Sequence, residues 1–177
     1  MKRSCHRSLI ASTAVLAALA GCAGMNESKP AAQAQVQPRS GSQVSGTVSF
    51  TPRADLVVVE ARISGLTPGP HGFHVHEAGD CSAADASSAK GHFNPTNHPH
   101  GHHGKPERHA GDLPNMVADA NGNAVYRAEV RGMQVASGAG GILGRSVVIH
   151  ADPDDYQSQP AGNSGRRVGC GIIAGRG

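Results

Sequence analysis

The strongest constraint on the fold is a period of two in the apolar residues. Val44, Gly46, Val48 and Phe50 alternate with polar neighbours, and Val57, Val59, Ala61 and Ile63 alternate with Val58, Glu60 and Arg62. Tyr126, Ala128 and Val130 do the same around Arg127 and Glu129. Such alternation belongs to strands with one buried face, because successive side chains on a strand point to opposite sides. Turn signals punctuate it at Thr67-Pro68-Gly69-Pro70, at Asn121-Gly122 and among the glycines of 138–144. There is no Trp and only 3% of residues are aromatic, so the core has to be built from Val, Ile, Leu and Ala. With 24 Gly and 11 Pro for turns, the expected class is all-β, a Greek-key β-barrel or sandwich. A further strand is expected over 142–150, with Val147 and Ile149 facing opposite to Val148 and His150.

Two long stretches, 79–115 and 151–168, lack this rhythm. Long irregular loops in a compact β domain usually carry function. The chain also holds 11 His in 177 residues, a number that no strand or turn calls for. Neutral imidazole is the commonest metal-ligating side chain, so metal binding is the first expectation.

The amino-terminal part differs from the rest. Lys2, Arg3 and Arg7 precede a short apolar run over 9–19, as in a secretory signal, and the run is too short to span a bilayer comfortably. Without those three cations the chain balances 13 basic against 13 acidic residues. No basic stripe interleaved with aromatics remains, so nucleic acid is not an expected partner. The run closes on Leu19-Ala20-Gly21-Cys22, which resembles the lipobox of bacterial lipoproteins. That resemblance implies a signal peptide over 1–21, lipidation at Cys22 and a membrane anchor in the bacterial cell envelope or periplasm. No Asp follows Cys22 directly, which favours the outer membrane. Residues 22–42, rich in Ala, Gln, Ser and Pro, then read as a tether, with a weakly alternating stretch at 33–37 able to form a first strand. The folded domain is placed at 43–177. Two cysteines remain outside the leader, Cys81 and Cys170, and in an exported chain such a pair reads as a disulfide, with free thiols as the alternative.

Candidate ligands fall in three segments. In His71-Gly72-Phe73-His74-Val75-His76-Glu77, His74 and His76 share one strand face while Phe73 and Val75 point to the core, so the two imidazoles can chelate one ion. Gly91-His92-Phe93-Asn94-Pro95 opens a histidine-rich run that closes with Arg108-His109-Ala110-Gly111-Asp112-Leu113. His150 ends the third segment.

These motifs, with the closing Gly162-Asn163-Ser164-Gly165-Arg166-Arg167-Val168-Gly169-Cys170-Gly171, resemble the copper–zinc superoxide dismutases over essentially all of 43–177. The resemblance implies a Greek-key barrel with a metal-binding and an electrostatic loop. It implies copper on His74, His76, His92 and His150, and zinc on His92, His100, His109 and Asp112, one ion of each per chain. His92 bridges the two and takes a proton during turnover, and Arg167 attracts and hydrogen-bonds superoxide beside the copper; these two are the implied catalytic residues. Asp154 links a copper histidine to a zinc histidine, and Cys81–Cys170 is the implied disulfide. His71 holds loops together without touching metal. The implied activity is dismutation of superoxide to oxygen and hydrogen peroxide, in a monomer or homodimer. The chain departs from relatives at Ala161, where many carry a channel hydroxyl, and in the extra His98, His102 and His103. A copper- and zinc-binding lipoprotein without turnover is the alternative.

Overall fold

The computed structural model describes Met1 and residues 29–176. The signal peptide expected over 1–21, Cys22 and the start of the tether lie outside the described residues. Among the described residues nine strands form: β1 Ala32–Pro38, β2 Ser45–Arg53, β3 Leu56–Ser64, β4 Gly69–His71, β5 Phe73–His76, β6 Met116–Ala118, β7 Ala124–Arg131, β8 Ser146–His150 and β9 Arg167–Gly175. Among the described residues the only helical element is a 3-10 turn, Ser87–Ala89.

Seven strands make one antiparallel sheet in the order β5-β8-β9-β1-β2-β3-β7, and β4 pairs with β6 in a short second ladder. β4 runs through Gly72 straight into β5, while β6 turns into β7 where Asp119 N–H bonds Asn123 C=O at 2.8 Å. The short ladder thus draws the two edges of the sheet together, and the sheet curls into a barrel. The chain crosses from one end of the sheet order to the other between β3 and β5, and back between β7 and β8, which is the expected Greek-key connectivity.

The weakly alternating stretch expected at 33–37 is β1, seated between β2 and β9 with Ala34 opposite Val48 and Ile173. The sheet therefore begins at Ala32, ahead of the boundary placed at 43, and residues 32–38 belong to the barrel wall rather than the tether. Small and polar side chains hid it: Ala32, Ala34 and Val36 are its buried face, and only one of the three is strongly apolar. The strand expected over 142–150 is shorter. Pairing starts at Ser146, and Ile142 packs into the core from a turn in which Arg145 N–H bonds Ile142 C=O.

The core fills with Val48, Phe50, Val57, Val59, Ile63, Val147, Ile149 and Ile173. Phe73 meets Tyr126 edge to face with ring centres 5.2 Å apart. β5 and β8 are buried on both faces: Phe73, Val75, Val147 and Ile149 face the barrel core, while His74, His76, Val148 and His150 lie beneath the long loops. Val148 joins a second apolar cluster with Ala86, Ala89, Cys81 and Cys170. The two cysteines form a disulfide, which ties the first long loop to β9 across 89 residues of chain. Closing a loop of that length is worth about 4–5 kcal/mol in the chain-entropy model.

Candidate metal centre

The register of β5 and β8 puts three histidines on one face. His74 is opposite Val148 and His76 opposite Ser146, and the pairing runs on so that His150 N–H bonds Gly72 C=O at 2.8 Å. His150 therefore joins the face of His74 and His76. The free edge of β5 is taken by the first long loop: Phe93 N–H bonds Val75 C=O at 2.8 Å, Glu77 N–H bonds Gly91 C=O at 2.9 Å, and Val75 N–H bonds Gly111 C=O at 3.0 Å. These bonds set His92 beside His76 and Asp112 beside His74. Gly111 is required here, since a Cβ would sit 2.2 Å from Val75 C=O.

Two groups of ligand atoms result. His74, His76, His92 and His150 form one, and His92, His100, His109 and Asp112 the other; within each, the candidate atoms lie within 4.8 Å of one another and every residue is buried. His92 belongs to both.

The hydrogen bonds show which nitrogen each imidazole offers. His74 Nε2–H donates to Asp154 Oδ2 at 2.8 Å, and His76 Nδ1–H donates to the Lys90 carbonyl at 2.9 Å. His150 Nδ1 faces the Gly165 carbonyl at 3.3 Å, and His92 Nδ1 lies 2.8 Å from Asp112 Oδ1. What remains is His74 Nδ1, His76 Nε2, His92 Nε2 and His150 Nε2, all buried and all without a partner. One orphaned buried nitrogen is costly, and four converging on one spot is the signature of an ion-binding site. In the second group Asp112 Oδ1 is 2.8, 3.1 and 3.2 Å from Nδ1 of His92, His100 and His109, and the Nδ1 atoms of His92 and His109 are 3.3 Å apart. A tetrahedral zinc ion with bonds of about 2.0–2.1 Å spaces its ligand atoms by about 3.3 Å. Both donor sets therefore fit an ion: four imidazoles of intermediate softness suit copper, and three imidazoles with a carboxylate suit zinc.

Burial governs the protonation of these groups. It pushes His76 and His150 well below the ordinary histidine value, and it lowers His92 to about 3, helped by neighbouring His74. His74 is lowered by burial too, against the opposing pull of Asp154. The four imidazoles are thus neutral at pH 7, with lone pairs free for a metal. His100 goes the other way: burial opposes its charge, yet its bonds to Asp112 and Asp154 raise it to about 9. Burial would raise the Asp112 and Asp154 carboxyls, but hydrogen bonds from His100 and the neighbouring imidazoles hold both well below the usual range. Asp154 spans the two groups, with Oδ2 on His74 and Oδ1 on His100 Nε2 at 2.9 Å.

Comparison with known proteins agrees with this geometry. The family model for copper/zinc superoxide dismutase matches residues 44–173. The chain belongs to the copper/zinc superoxide dismutase family. It is similar to the copper–zinc superoxide dismutase of Deinococcus radiodurans, 38% identical over 166 residues that cover 88% of this chain and 89% of that one. It is 40% identical over 155 residues to the extracellular copper–zinc superoxide dismutase of Brugia pahangi, covering 82% and 77%. Over 121 residues it is 49% identical to superoxide dismutase [Cu-Zn] 3 of Arabidopsis thaliana, covering 65% and 73%. The family is copper- and zinc-dependent, and the two groups of ligand atoms fit two such ions.

In this superoxide dismutase fold, Arg167 stands next to His150. The pairing of β8 with β9 shifts register between Ile149 and His150, which brings Arg167 rather than Val168 opposite His150. An irregularity of this kind re-aims a side chain at the end of a ladder. Arg167 is half-buried, donates from Nη1 to the Ala86 carbonyl at 2.8 Å, and lines a cavity of about 210 Å³ with His150, Ala161, Asn163 and Ser164. Arg166 is exposed and reaches only the Ser40 carbonyl. His71 lies outside both groups, with its two ring nitrogens each 2.8 Å from a carbonyl oxygen, of His150 and Thr67. His98, His102 and His103 also stay outside; His102 and His103 lie together with ring centres 4.0 Å apart, against Tyr156.

Three side chains with no role assigned from the sequence turn out to fasten the site. Arg108, buried, donates to the carbonyls of His103, His109 and Arg131 and so pins the histidine-rich loop to the end of β7. Asn115 exchanges two 2.9 Å bonds with the backbone of Asp154. Gln159 exchanges two with the backbone of His100. Only Arg108 had a sequence signal, its place next to His109.

Proposed function

We propose that this protein dismutates superoxide at copper held by His74, His76, His92 and His150, with zinc held by His92, His100, His109 and Asp112. The observation that carries the reading is the double use of His92, whose Nε2 faces the four-imidazole group while Nδ1 faces the carboxylate group. A storage site needs no shared imidazole.

Two superoxide anions and two protons give one dioxygen and one hydrogen peroxide. The chemistry that bound copper supplies is one-electron exchange with each anion, between its Cu(II) and Cu(I) states. The chain supplies the rest. Arg167 attracts the anion into the cavity beside His150 and holds it there by hydrogen bonding. His92 would keep Nδ1 on the zinc side, and Nε2, the atom it would offer to copper, is the one that would take and return a proton. Asp154 fixes the tautomers of His74 and His100 together, so a change at one group is felt at the other.

The site of action we infer is the bacterial envelope. A signal peptide over 1–21 would direct export and a lipid on Cys22 would hold the enzyme at a membrane, by preference the outer one, and the oxidised Cys81–Cys170 pair suits an oxidising compartment. The test is superoxide consumption by the purified protein, with copper and zinc analysed in parallel. Fast, copper-dependent turnover is expected. A folded protein carrying both metals yet lacking turnover would make it a metal-binding lipoprotein instead.

A further inference from the structure

The histidine-rich loop and the 151–166 loop meet at a pair of hydrogen bonds made by one side-chain amide. Gln159 Nε2–H donates to the His100 carbonyl at 2.9 Å, and His100 N–H donates to Gln159 Oε1 at 2.9 Å. This is the reciprocal exchange two antiparallel strand residues would make, with an amide side chain in place of one backbone. It falls on a residue whose imidazole is buried and held at Nε2 by Asp154, while Nδ1 lies 3.1 Å from Asp112 Oδ1 without a hydrogen-bond partner among the described residues. Gln159 Nε2 makes one further contact, to the Gln157 carbonyl at 3.3 Å.

The residues that follow Gln159 form a wall. Pro160 and Ala161 line the cavity shared by His150 and Arg167. Gly162 N–H bonds Ser158 C=O at 2.7 Å and Asp155 N–H bonds Gly162 C=O at 2.9 Å, so 158–162 is a tight coil. That coil rests directly on the Asp154–His100 pair, because a Cβ on Gly162 would lie 1.8 Å from Asp154 Oδ1 and 2.8 Å from His100 Nε2. There is no slack between the His100 imidazole and the wall.

We propose that Gln159 is a positioning residue that couples zinc occupancy at His100 to the shape of the cavity wall beside Arg167. The proposal rests on the assignment of His100 as a zinc ligand. Zinc fixes the His100 ring, the ring fixes its backbone, and the Gln159 amide passes that position to Pro160 and Ala161. In return the clamp keeps His100 from swinging away, which slows zinc release.

The test compares the loaded wild-type protein with Gln159→Leu, which removes the amide at similar volume, and with Gln159→Glu, which keeps an acceptor for His100 N–H but sets an oxygen against the His100 carbonyl. Gln157→Leu, an exposed neighbour, is the control. Zinc transfer to a chromogenic chelator is expected to be about tenfold faster in both Gln159 variants, a size in keeping with two neutral hydrogen bonds. It is expected to be unchanged in the control, with copper content unchanged throughout. Hydrogen exchange supplies the second readout. In the wild type, removing zinc should speed amide exchange across 161–164; in Gln159→Leu that stretch should exchange fast with zinc present or absent. Wild-type zinc release in the variants overturns the proposal. So does a wild-type response of 161–164 to zinc removal, or an equal loss of thermal stability with and without metals, which would mark a general structural staple. A folded wild-type protein that retains no zinc would instead sink the zinc assignment itself, a result distinct from these.

Discussion

The two ligand groups are built on opposite plans. The four-imidazole group stands on strands: β5 gives His74 and His76, β8 gives His150, and only His92 comes from a loop. Its free nitrogens have nothing to hold each other with, and burial keeps them neutral. The carboxylate group is made from one loop, and the Asp112 oxygen gathers three imidazoles by hydrogen bonding and charge. Where the barrel supplies rigidity the site can do without internal attraction. Where loops supply the ligands, the site carries its own.

The sharpest way to break this comparison is to remove a ligand from each side. His76→Ala should abolish copper-dependent turnover, by about a thousandfold or more, while zinc content stays near one per chain; activity and metal analysis on one sample decide it. Asp112→Asn should act on the other side, weakening zinc retention by about a hundredfold as measured by chelator competition, with copper still bound. If copper were lost first, the carboxylate group would not be the self-assembled one. Asp154→Asn tests the link. It orients an imidazole in each group, so both affinities should fall, by about 10–100-fold, the range typical of groups that orient ligands.

Acid and alkali should separate the groups in the metal-free protein. His92, lowered to about 3, is neutral in the fold, whereas the unfolded chain takes up its proton near pH 6.5; stability is therefore lost as pH falls from about 6.5 toward 3. Asp112 and Asp154, held low, lose their contribution in the same direction. His100, raised to about 9, contributes stability that is complete below about pH 6.5 and is lost as pH rises through 9. Thermal unfolding of the metal-free protein should thus peak near neutrality and decline on both sides. Zinc, by taking the place of the His100 proton, should flatten the alkaline decline; a decline that persists with zinc bound would put its cause elsewhere. The smallest effect expected is at Arg167. Arg167→Ala should lower turnover at limiting superoxide by about tenfold and weaken its dependence on salt, since steering by charge is screened by ions.

Most of the barrel was legible because β2, β3 and β7 bury one face and expose the other, which writes a period of two into the chain. β8 was legible for its apolar run, Val147 to Ile149, though its start was not: Ile142 is as buried as any strand residue without being paired. β1 was faint because two of the three residues on its buried face, Ala32 and Ala34, are small, leaving little apolar signal. The residues that the resemblance implies as ligands, His100 among its crowd of neighbours included, are the ones the structure brings together in two buried groups. The clamps were not. Asn115 and Gln159 act by exchanging bonds with the backbone of distant residues, and a hydrogen bond to a backbone leaves no trace in the identity of the residue it grips.

The disulfide has a mechanical meaning for the site. Cys81 and Cys170 close a covalent ring that contains His92, His100, His109, Asp112, His150, Asp154 and Arg167. Tension applied between the two ends of the chain passes from Cys81 to Cys170 through sulfur and bypasses everything between them. A single protease cut anywhere within the ring likewise leaves one connected molecule, with both halves of the metal centre still attached to the barrel.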